Sequence, residues 1–359
     1  MVSRRSDTAQ DDPQTEPRRR RSSTYAGVRD VARLAGVSTA TVSRVFNRPE
    51  SVSKDIRRKV LDAADTLTYI PHNGARALSS HRSQTLGVVI PTIQNSIFAE
   101  QVEHLQARGA ELGYNLVVKL AGFDKDRELE QVRELLRNGV DGIMLIGADH
   151  RPELYRLLEA RRIAFVNTSV CDPASPYPSV GFDNAGAMAR MTRHLLSLGH
   201  RRIGVLAGDI EGSDRVRLRL DGIEQALAEE GLELPDHRLI FSSYSMADSR
   251  ASCRELIRRD PNLTAIICHN DVQAFAAVLE LQSLGISVPD QCSVTGFDDL
   301  EWARHLVPAL TTVRVDWGRM ARLATDALVA QLDEKDFAHT TQVDADLVLR
   351  DSTAPPPDA

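Results

Sequence analysis

Short β-rich runs alternate with amphipathic helical segments through most of this chain, from Thr85 onward. The runs are, in order, LGVVIP, YNLVVKL, GIMLIG, IAFVNTS, RIGVLAG, LIFSS, AIICHN and CSVTGFDD. This alternation is typical of parallel sheets whose strands are joined by crossover helices. Because the Pro- and Asp-rich segment CDPASPYPS at 171–179 interrupts it, we expect two lobes. The sequence therefore predicts an α/β core of two Rossmann-like lobes, with ligand-binding residues just beyond the strand ends.

A segment with a different periodicity, GVRDVARLAGVSTATVSRVFN at 27–47, precedes this core. Its apolar residues repeat at helical spacing on two short helices, Val31, Ala32, Leu34 and Ala35 on the first and Val42, Val45 and Phe46 on the second. Gly36 permits a tight turn between them, and Ser38 is a good N-cap for the second helix. We interpret the segment as a helix-turn-helix, which leaves small or hydrogen-bonding side chains on its outer face.

A third helix and a short linker follow. Ser53 can cap the helix, whose apolar stripe consists of Ile56, Val60, Ala63, Ala64 and Leu67. Pro71 ends it, and the next segment, HNGARALSSHRSQ, contains helix-forming residues but little with which to build a core. We expect that segment to fold only against a partner.

Charge is distributed unevenly along the chain. Residues 1–82 contain 16 Lys and Arg against 9 Asp and Glu, whereas the remainder contains 28 against 41. A basic head on an acidic body is typical of a nucleic-acid-binding segment joined to a domain with another task. The alternative, a solvated tail, is our interpretation of residues 1–24, where RRRR lies among Ser, Asp, Pro and Gln.

The composition argues against membrane, exported and metal-binding proteins. No run of about 18 apolar residues is present, and no apolar segment follows the N-terminal arginines, so we expect a cytoplasmic protein. The four cysteines, Cys171, Cys253, Cys268 and Cys292, lie far apart and lack CxxC pairing. We expect reduced core cysteines, and neither a metal nor a cofactor.

Motifs along the whole chain resemble one protein family. VRDVARLAGVSTATVSRVFN, YIPHNGARALSS, VGFDNAGA, LGHRRIGVLAG, RLRLDG, HND and VTGFDD closely resemble the lactose-repressor and galactose-repressor (LacI/GalR) family of transcriptional regulators. The first two motifs are specific to that family, whereas the others also fit periplasmic sugar-binding proteins. The resemblance, from about Val28 to about Arg350, implies a hinge helix that orders on operator DNA and a periplasmic-binding-protein-like core that binds an effector and dimerises.

The resemblance and the residue patterns together define a domain organisation. The expected parts are a disordered basic tail (1–25), an N-terminal all-α helix-turn-helix head (26–71), a hinge helix and linker (72–83), the two-lobed core (84–351) and a disordered tail (352–359). The C-terminal sequence TQVDADLVLRDSTAPPPDA lacks the leucine heptads of a tetramerising helix. We therefore expect a homodimer on a near-palindromic double-stranded DNA operator.

The candidate DNA-binding residues lie in the head and the linker. Thr39, Ala40, Ser43 and Arg44 match the recognition-helix positions of the family, and Arg44 can make a bidentate contact with guanine O6 and N7. We interpret Thr41, Asn47, Ser51 and Ser53 as phosphate contacts or caps. Leu78 matches the leucine that family members wedge into the minor groove, with Ala75 and Arg76 beside it. The alternatives are an exposed surface arginine for Arg44 and a core-packed leucine for Leu78.

The candidate effector-binding residues align with effector-contacting positions of the family: Asn95, Phe98, Asn167, Arg219, Tyr244, Asn270 and Asp298. Carboxylate, amide and guanidinium groups around an aromatic face suit the vicinal hydroxyls and the C–H face of a polyhydroxylated ring. Alternatively, Asp298 and Asp299 only cap the turn after a strand, and Asn270 and Asp271 are an N-cap pair. Asn167 lies where many sugar-responsive relatives carry aspartate, which leaves the identity of the sugar open.

Two other classes of function compete with this one. His269, Asn270 and Asp271, or the pair Asp298 and Asp299, could do acid–base chemistry, but the chain has no GxSxG, HExxH, GxGxxG or phosphate-loop pattern. A transport receptor would need an export signal and no helix-turn-helix head. We therefore predict a sequence-specific transcriptional regulator that is not an enzyme. A repressor is the expected form, with operator affinity controlled by a small ligand such as a sugar or related polyol.

Overall fold

The computed structural model describes residues 26–70, 82–208 and 213–357, and the chain divides into two compact units between His81 and Arg82. The predicted basic tail, most of the predicted linker and the linker residues Ala75, Arg76 and Leu78 lie outside the described residues. The second unit begins slightly before the predicted residue 84. Ser83 N and Gln84 N donate to the two carboxylate oxygens of Asp141, both at 2.7 Å, which fixes the start of this unit.

The first unit is a three-helix head. Its helices are α1 (Val28–Ala35), α2 (Thr39–Asn47) and α3 (Lys54–Thr66), with a 3-10 turn at Pro49–Ser51. Gly36 ends α1 in the left-handed conformation, with φ of 67°, and Ser38 Oγ accepts from Thr41 N at 3.1 Å. The core consists of Val31, Ala32, Val42, Val45, Val60, Ala63 and Ala64. These features agree with the helix-turn-helix interpretation.

Two expectations for the head need correction. Leu34 is 54% exposed, because a rotation of about 100° per residue turns it away from the buried stripe of Val31 and Ala32. Ser53 stands at the N-cap of α3, but its side chain makes no capping hydrogen bond. The stability of this head therefore comes from the apolar contacts between the helices rather than from a side-chain cap of α3.

The second unit alternates strands and helices. Its strands are β1 (Thr85–Ile90), β2 (Asn115–Leu120), β3 (Gly142–Ile146), β4 (Ala164–Thr168), β5 (Ser179–Gly181), β6 (Ile203–Ala207), β7 (Leu239–Phe241), β8 (Ala265–Cys268), β9 (Ser293–Thr295), β10 (Thr312–Val315), β11 (Thr340–Gln342) and β12 (Ala345–Val348). Its helices are α4 (Ser96–Glu111), α5 (Lys125–Arg137), α6 (Pro152–Arg161), α7 (Asn184–Ser197), α8 (Asp214–Glu229), α9 (Met246–Arg259), α10 (Asp271–Ser283) and α11 (Trp317–Leu332), with 3-10 turns at Asp236–Arg238 and Glu301–Arg304.

These elements form two α/β lobes, as predicted. The first lobe is built on a parallel sheet in the order β11-β5-β4-β3-β1-β2, and the second on a parallel sheet in the order β7-β6-β8-β9. An antiparallel pair, β10 and β12, forms a separate two-stranded sheet. Helix α11 packs on α4 in the first lobe, and α7 packs on α8 in the second. The chain therefore passes between the lobes after β5, after β10 and after β11.

The eight predicted strands are all present, but β5, β10, β11 and β12 were not predicted. The expected disordered tail from residue 352 is also wrong for its described part. Ser352 is fully buried, its Oγ donating to Val294 O at 2.6 Å and accepting from Thr311 N at 2.8 Å. Ala354 N donates to Ser293 Oγ at 3.0 Å. The segment is ordered because it satisfies backbone groups that β9 leaves unpaired.

The expectations about the cysteines and about membrane-spanning segments concern residues that the structure describes. Three of the cysteines are buried, whereas Cys171 is half-buried with its Sγ 3.8 Å from Gln342 Oε1. Among the helices of residues 26–70, 82–208 and 213–357, none is long and apolar enough to cross a membrane.

Candidate functional site

The outer face of α2 carries the candidate base-reading residues. Thr39, Ala40, Ser43 and Arg44 are all exposed, because Val42 and Val45 occupy the opposite, buried face of the helix. Asn47 Nδ2 donates to Ser43 Oγ at 3.1 Å, and Ser51 Oγ donates to Arg48 O. Thr41 is half-buried, with its Oγ1 2.9 Å from Ser38 Oγ. Arg44 is thus the long cationic side chain on a face of otherwise small residues, a geometry suited to a groove.

In the second unit, the carboxyl ends of the parallel strands meet at a cleft between the lobes. Asn95 and Phe98 follow β1, while Asn270 and Asp298 follow β8 and β9. Phe98, Arg219 and Tyr244 line one small space of about 20 Å³, together with Gln101, Ser169 and Trp317. We call this space the inner pocket. Both lobes supply its walls.

Arg219 is the central side chain of the inner pocket. It is buried on α8, where its Nε donates to Asn184 Oδ1 at 3.1 Å and one terminal nitrogen donates to His269 O. The guanidinium carbon lies 3.5 Å from the centroid of the Phe297 ring, a cation–π contact. Its other terminal nitrogen is 4.0 Å from Asp298 Oδ1. The guanidinium is therefore held rigidly, with one edge available to a ligand.

Asp298 is buried opposite this guanidinium in a left-handed backbone conformation, with φ of 116°. Burial raises its pKa to about 7, although Arg219 opposes the shift. The neighbouring His269 is also buried, and burial together with the positive charge of Arg219 lowers its pKa to about 3. Asp298 can therefore change its charge near neutral pH, whereas His269 remains neutral.

Several buried polar atoms in and around the cleft make no hydrogen bond within the described part of the chain. They are Asn95 Nδ2, Gln101 Nε2, Ser169 Oγ, both ring nitrogens of His269, Asn270 Nδ2, Asp298 Oδ1 and Trp317 Nε1. The side-chain oxygens of Asn95 and Asn270 are used to cap α4 and α10, accepting from Ile97 N and Gln273 N. A buried polar group without a partner costs about 1–3 kcal/mol. Such a cluster is typical of a site that hydrogen-bonds a polar ligand.

Asn167 is not brought together with the other candidates. Its Nδ2 donates to the Tyr155 hydroxyl at 2.9 Å, and Tyr155 stacks on Tyr177 with ring centroids 3.8 Å apart. These aromatic rings belong to the cluster that packs the first sheet against α5 and α6, and Asn167 is not among the residues that line the inner pocket. A role for Asn167 in effector binding stays a prediction.

A larger cavity of about 690 Å³, the outer chamber, opens beside the inner pocket. Val216 and Tyr244 line both spaces. Phe123, from the loop after β2, stacks on Tyr244 across the two lobes, with centroids 5.8 Å apart and planes within 2°. Asn95 also lines the outer chamber.

A second contact between the lobes joins Asp214 to the loop after β3, and we call it the interlobe latch. The Asp214 carboxylate, at the start of α8, accepts from Ala148 N at 2.7 Å and from Asp149 N at 3.2 Å. Asp149 is also 3.7 Å from the Arg217 guanidinium. Gly147 precedes these amides with φ of 91°, and a Cβ there would lie 2.7 Å from Asp214 Oδ1 and collide with Arg215. The latch therefore needs glycine at this position.

Sequence reasoning missed Phe123, Ser169, Gln101 and Trp317 as site residues. Phe123 and Ser169 come just after β2 and β4, so the rule that ligands bind beyond strand ends could have found them. Gln101 lies one turn beyond Phe98 on α4. Trp317 follows β10, a strand that the sequence pattern did not predict, and no local signal marks it.

Comparison with known proteins identifies the family. Residues 28–72 match the bacterial regulatory proteins of the lacI family, and residues 192–353 match the periplasmic binding protein-like domain. The HTH-type transcriptional repressor PurR of Photobacterium profundum is 31% identical over 331 residues, 91% of this chain and 98% of that protein. This chain belongs to the LacI family.

Other relatives extend the match. The HTH-type transcriptional regulator GntR of Escherichia coli (strain K12) is 31% identical over 307 residues, 85% of this chain and 91% of that protein. The lac repressor dimer bound to operator and the anti-inducer ONPF has a TM-score of 0.82 at 26% identity, covering 92% of this chain and 100% of that chain. A CelR–cellobiose complex has a TM-score of 0.68 at 26% identity, covering 91% and 99%.

This LacI-family protein is a DNA-binding transcriptional regulator with a ligand-binding domain, because its relatives are transcriptional regulators rather than enzymes. The prediction that it is not an enzyme is confirmed. Two carboxylates of the rejected catalytic interpretation, Asp271 and Asp299, have structural partners instead. Asp271 accepts from Thr312 Oγ1 and Leu300 N, and Asp299 pairs with Arg314 and Arg350.

Proposed function

We propose that this regulator is a homodimeric repressor whose operator affinity is controlled by a sugar or related polyol bound between the lobes. The observation that carries this proposal is the cluster of buried, unpartnered polar atoms around Arg219 and Asp298, in a chain whose other unit is a helix-turn-helix. A ligand that contacts both lobes favours one arrangement of the lobes over others. Operator affinity then changes by the difference in effector affinity between those arrangements.

The polar groups at Arg219 suit a hydroxylated ligand. A guanidinium edge donates two hydrogen bonds, a carboxylate accepts two, and vicinal hydroxyls both donate and accept. Phe98 and Tyr244 add aromatic surface against which the C–H face of a ring can pack. The CelR relative, solved with cellobiose, supports the same ligand class.

On the DNA side, we propose that Arg44 reads a guanine and that Thr39, Ala40 and Ser43 contact neighbouring base edges. Thr41, Asn47 and Ser53 then contact phosphates and fix the position of the head. We propose that Leu78 inserts into the minor groove, with Ala75 and Arg76 beside it, as the family resemblance implies. Two such heads on one dimer require half-sites about one helical turn apart.

The proposed dimer uses an exposed apolar face of the second lobe. Trp302 is 71% exposed and Val307 84%, and Leu279 and Leu284 on and beside α10 are each about two-fifths exposed. These residues lie on neighbouring segments, because Gln282 Nε2 donates to Val307 O and Ala303 packs in the same cluster as Ala277 and Val278. Exposed aromatic and aliphatic groups of this kind are typical of dimer interfaces. The lac repressor relative is a dimer.

Two measurements on the purified protein test the proposal. Retardation of a DNA fragment carrying its own promoter tests operator binding, and a thermal-shift screen with sugars and polyols tests effector binding. A compound that raises the thermal midpoint should also change the amount of retarded DNA. The Asp298→Asn variant should retain DNA binding and lose most of this response. Failure to retard the promoter, or a response that the variant keeps in full, would contradict the proposal.

A further inference from the structure

Most of the room for a ligand in the cleft lies in the outer chamber rather than beside Arg219. The inner pocket encloses about 20 Å³, enough for a single water molecule or hydroxyl group. The outer chamber encloses about 690 Å³, within the range of small-molecule sites. Because Val216 and Tyr244 line both spaces, a ligand in the outer chamber can extend a polar group inward between these two residues.

The two spaces differ in the state of some of their polar groups, although Asn95 Nδ2, which belongs to a residue lining the outer chamber, also has no partner among the described residues. Around the inner pocket, the polar atoms of Gln101, Ser169 and Trp317 have no partner among the described residues. In the outer chamber, the side-chain oxygens of Ser243 and Ser245 already bond within the loop, the first donating to Asp248 and the second accepting from Asp248 N. The inner side chains therefore demand hydrogen bonds from a ligand, whereas these outer ones do not.

The walls of the outer chamber are largely apolar. Leu120, Phe123 and Pro91 come from the first lobe, while Tyr244, Met246 and Val272 come from the second. Leu120 and Met246 are each more than one third exposed at its rim. An apolar group of a ligand that covered them would remove this surface from water, at about 25 cal/mol per Å².

We propose that the effector is a glycoside with a ring substituent. One hydroxyl group points inward through the inner pocket toward Arg219 and Asp298. The rest of the hydroxylated ring and the substituent ring lie in the outer chamber, the substituent against Phe123, Tyr244 and Met246. This inference rests on the proposed function and narrows the ligand class within it. An aromatic aglycone and an N-linked heterocycle offer the same chemistry, a flat apolar ring attached to a hydroxylated one. A free monosaccharide leaves the outer walls uncovered.

Calorimetry with matched ligand pairs tests the proposal on the full-length protein. The first arm compares phenyl with methyl glycosides of glucose, galactose, mannose and xylose, and the second compares nucleosides with methyl riboside. In at least one arm, the ring-bearing member should bind about tenfold or more tightly than its partner. The arm in which the ring-bearing ligand binds more tightly shows whether the ring is an aromatic aglycone or an N-linked heterocycle. Equal affinities within every pair would overturn the inference.

Two variants locate the effect. Met246→Lys puts a charge in the outer chamber and should remove the preference for the ring-bearing ligand, with no change in the affinity of the methyl compound. Phe241→Lys is the matched control, since Phe241 is an exposed apolar residue of the same lobe that does not line the chamber. A ring preference that survives in Met246→Lys would overturn the assignment to this chamber. Failure of both members of every pair to bind would also contradict the proposed sugar or polyol effector, whereas binding without a ring preference contradicts this inference alone.

Discussion

At the scale of single residues, the protonation of Asp298 links the cleft to pH. Asp298 faces Arg219 at 4.0 Å, and the charge of Glu100 adds to the effect of burial in raising its pKa to about 7. In the unfolded chain the same group titrates near its usual value of 3.8. Between these values the folded protein holds a proton that the unfolded chain has released.

We therefore expect the contribution of Asp298 to the free energy of unfolding to fall as the pH rises from 3.8 to about 7. The slope is at most about 1.4 kcal/mol per pH unit. Asp298→Asn removes this contribution, so calorimetric unfolding at several pH values in this window should show the parent protein losing stability relative to the variant as pH rises. Parallel stability profiles for the two proteins would show that Asp298 is ionised throughout.

Arg44 is the residue on which sequence recognition should depend. Arg44→Ala removes a bidentate donor, so we expect a loss of about 1–3 kcal/mol per guanine contact and a relaxed preference at that base pair. Competition binding with operators changed one base pair at a time measures both effects. Arg58→Ala is the control, because Arg58 is an exposed arginine on α3 of the same head. Unchanged discrimination at every position in Arg44→Ala would remove α2 as the recognition helix.

At the scale of elements, the interlobe latch joins the start of α8 to the loop after β3. A carboxylate that accepts two backbone amides stabilises this contact by about 1.5–3 kcal/mol per charged hydrogen bond. The groups proposed to bind effector come from both lobes, so the contact favours the arrangement in which they meet. Separation of the lobes has to break it.

Asp214→Ala should therefore weaken effector binding by about tenfold or more, although Asp214 is not proposed to contact the effector. Calorimetry measures the affinity, and small-angle scattering should show an increased radius of gyration. Asp260→Ala is the matched control, because Asp260 also accepts from two donors, Arg238 and Asn262 N, within one lobe. Equal losses of affinity in the two variants would indicate a general loss of stability rather than an interlobe effect.

At the scale of the whole molecule, dimerisation should determine operator affinity. Trp302→Glu puts a charge in the proposed dimer face, and we expect the dimer dissociation constant to rise by at least about tenfold. Specific operator binding should weaken in parallel, because the second head then binds from solution rather than at the high effective concentration that the dimer provides. Sedimentation equilibrium and operator titrations measure the two quantities.

Phe241→Glu is the control for this variant. Phe241 is exposed on β7, at the opposite edge of the second sheet from β9. It should remain dimeric and bind operator like the parent protein. If Phe241→Glu dissociates the dimer while the Trp302→Glu protein remains dimeric, the dimer interface lies at the β7 edge instead.

The sequence alone determined the parts of this protein that depend on local periodicity. The three head helices, the eight predicted strands and the crossover helices all belong to repeated apolar patterns that the sequence reveals. The family resemblance selected Asn95, Asn270 and Asp298, and their places after β1, β8 and β9 agree with the rule that parallel strands put their carboxyl ends at one edge. The outward face of α2 follows from the burial of Val42 and Val45.

Only the tertiary structure decided what depends on residues far apart in the chain. Strands β5 and β11 pair with each other from distant parts of the chain, so no local alternation marks them. Ser352 is ordered for the same reason, by Val294 and Thr311. The turn of Asn167 toward Tyr155, the stacking of Phe123 on Tyr244 and the bonding of Asp214 to the β3 loop likewise arise from packing between elements. A local pattern records which face of an element is buried, but not which distant side chain it will contact.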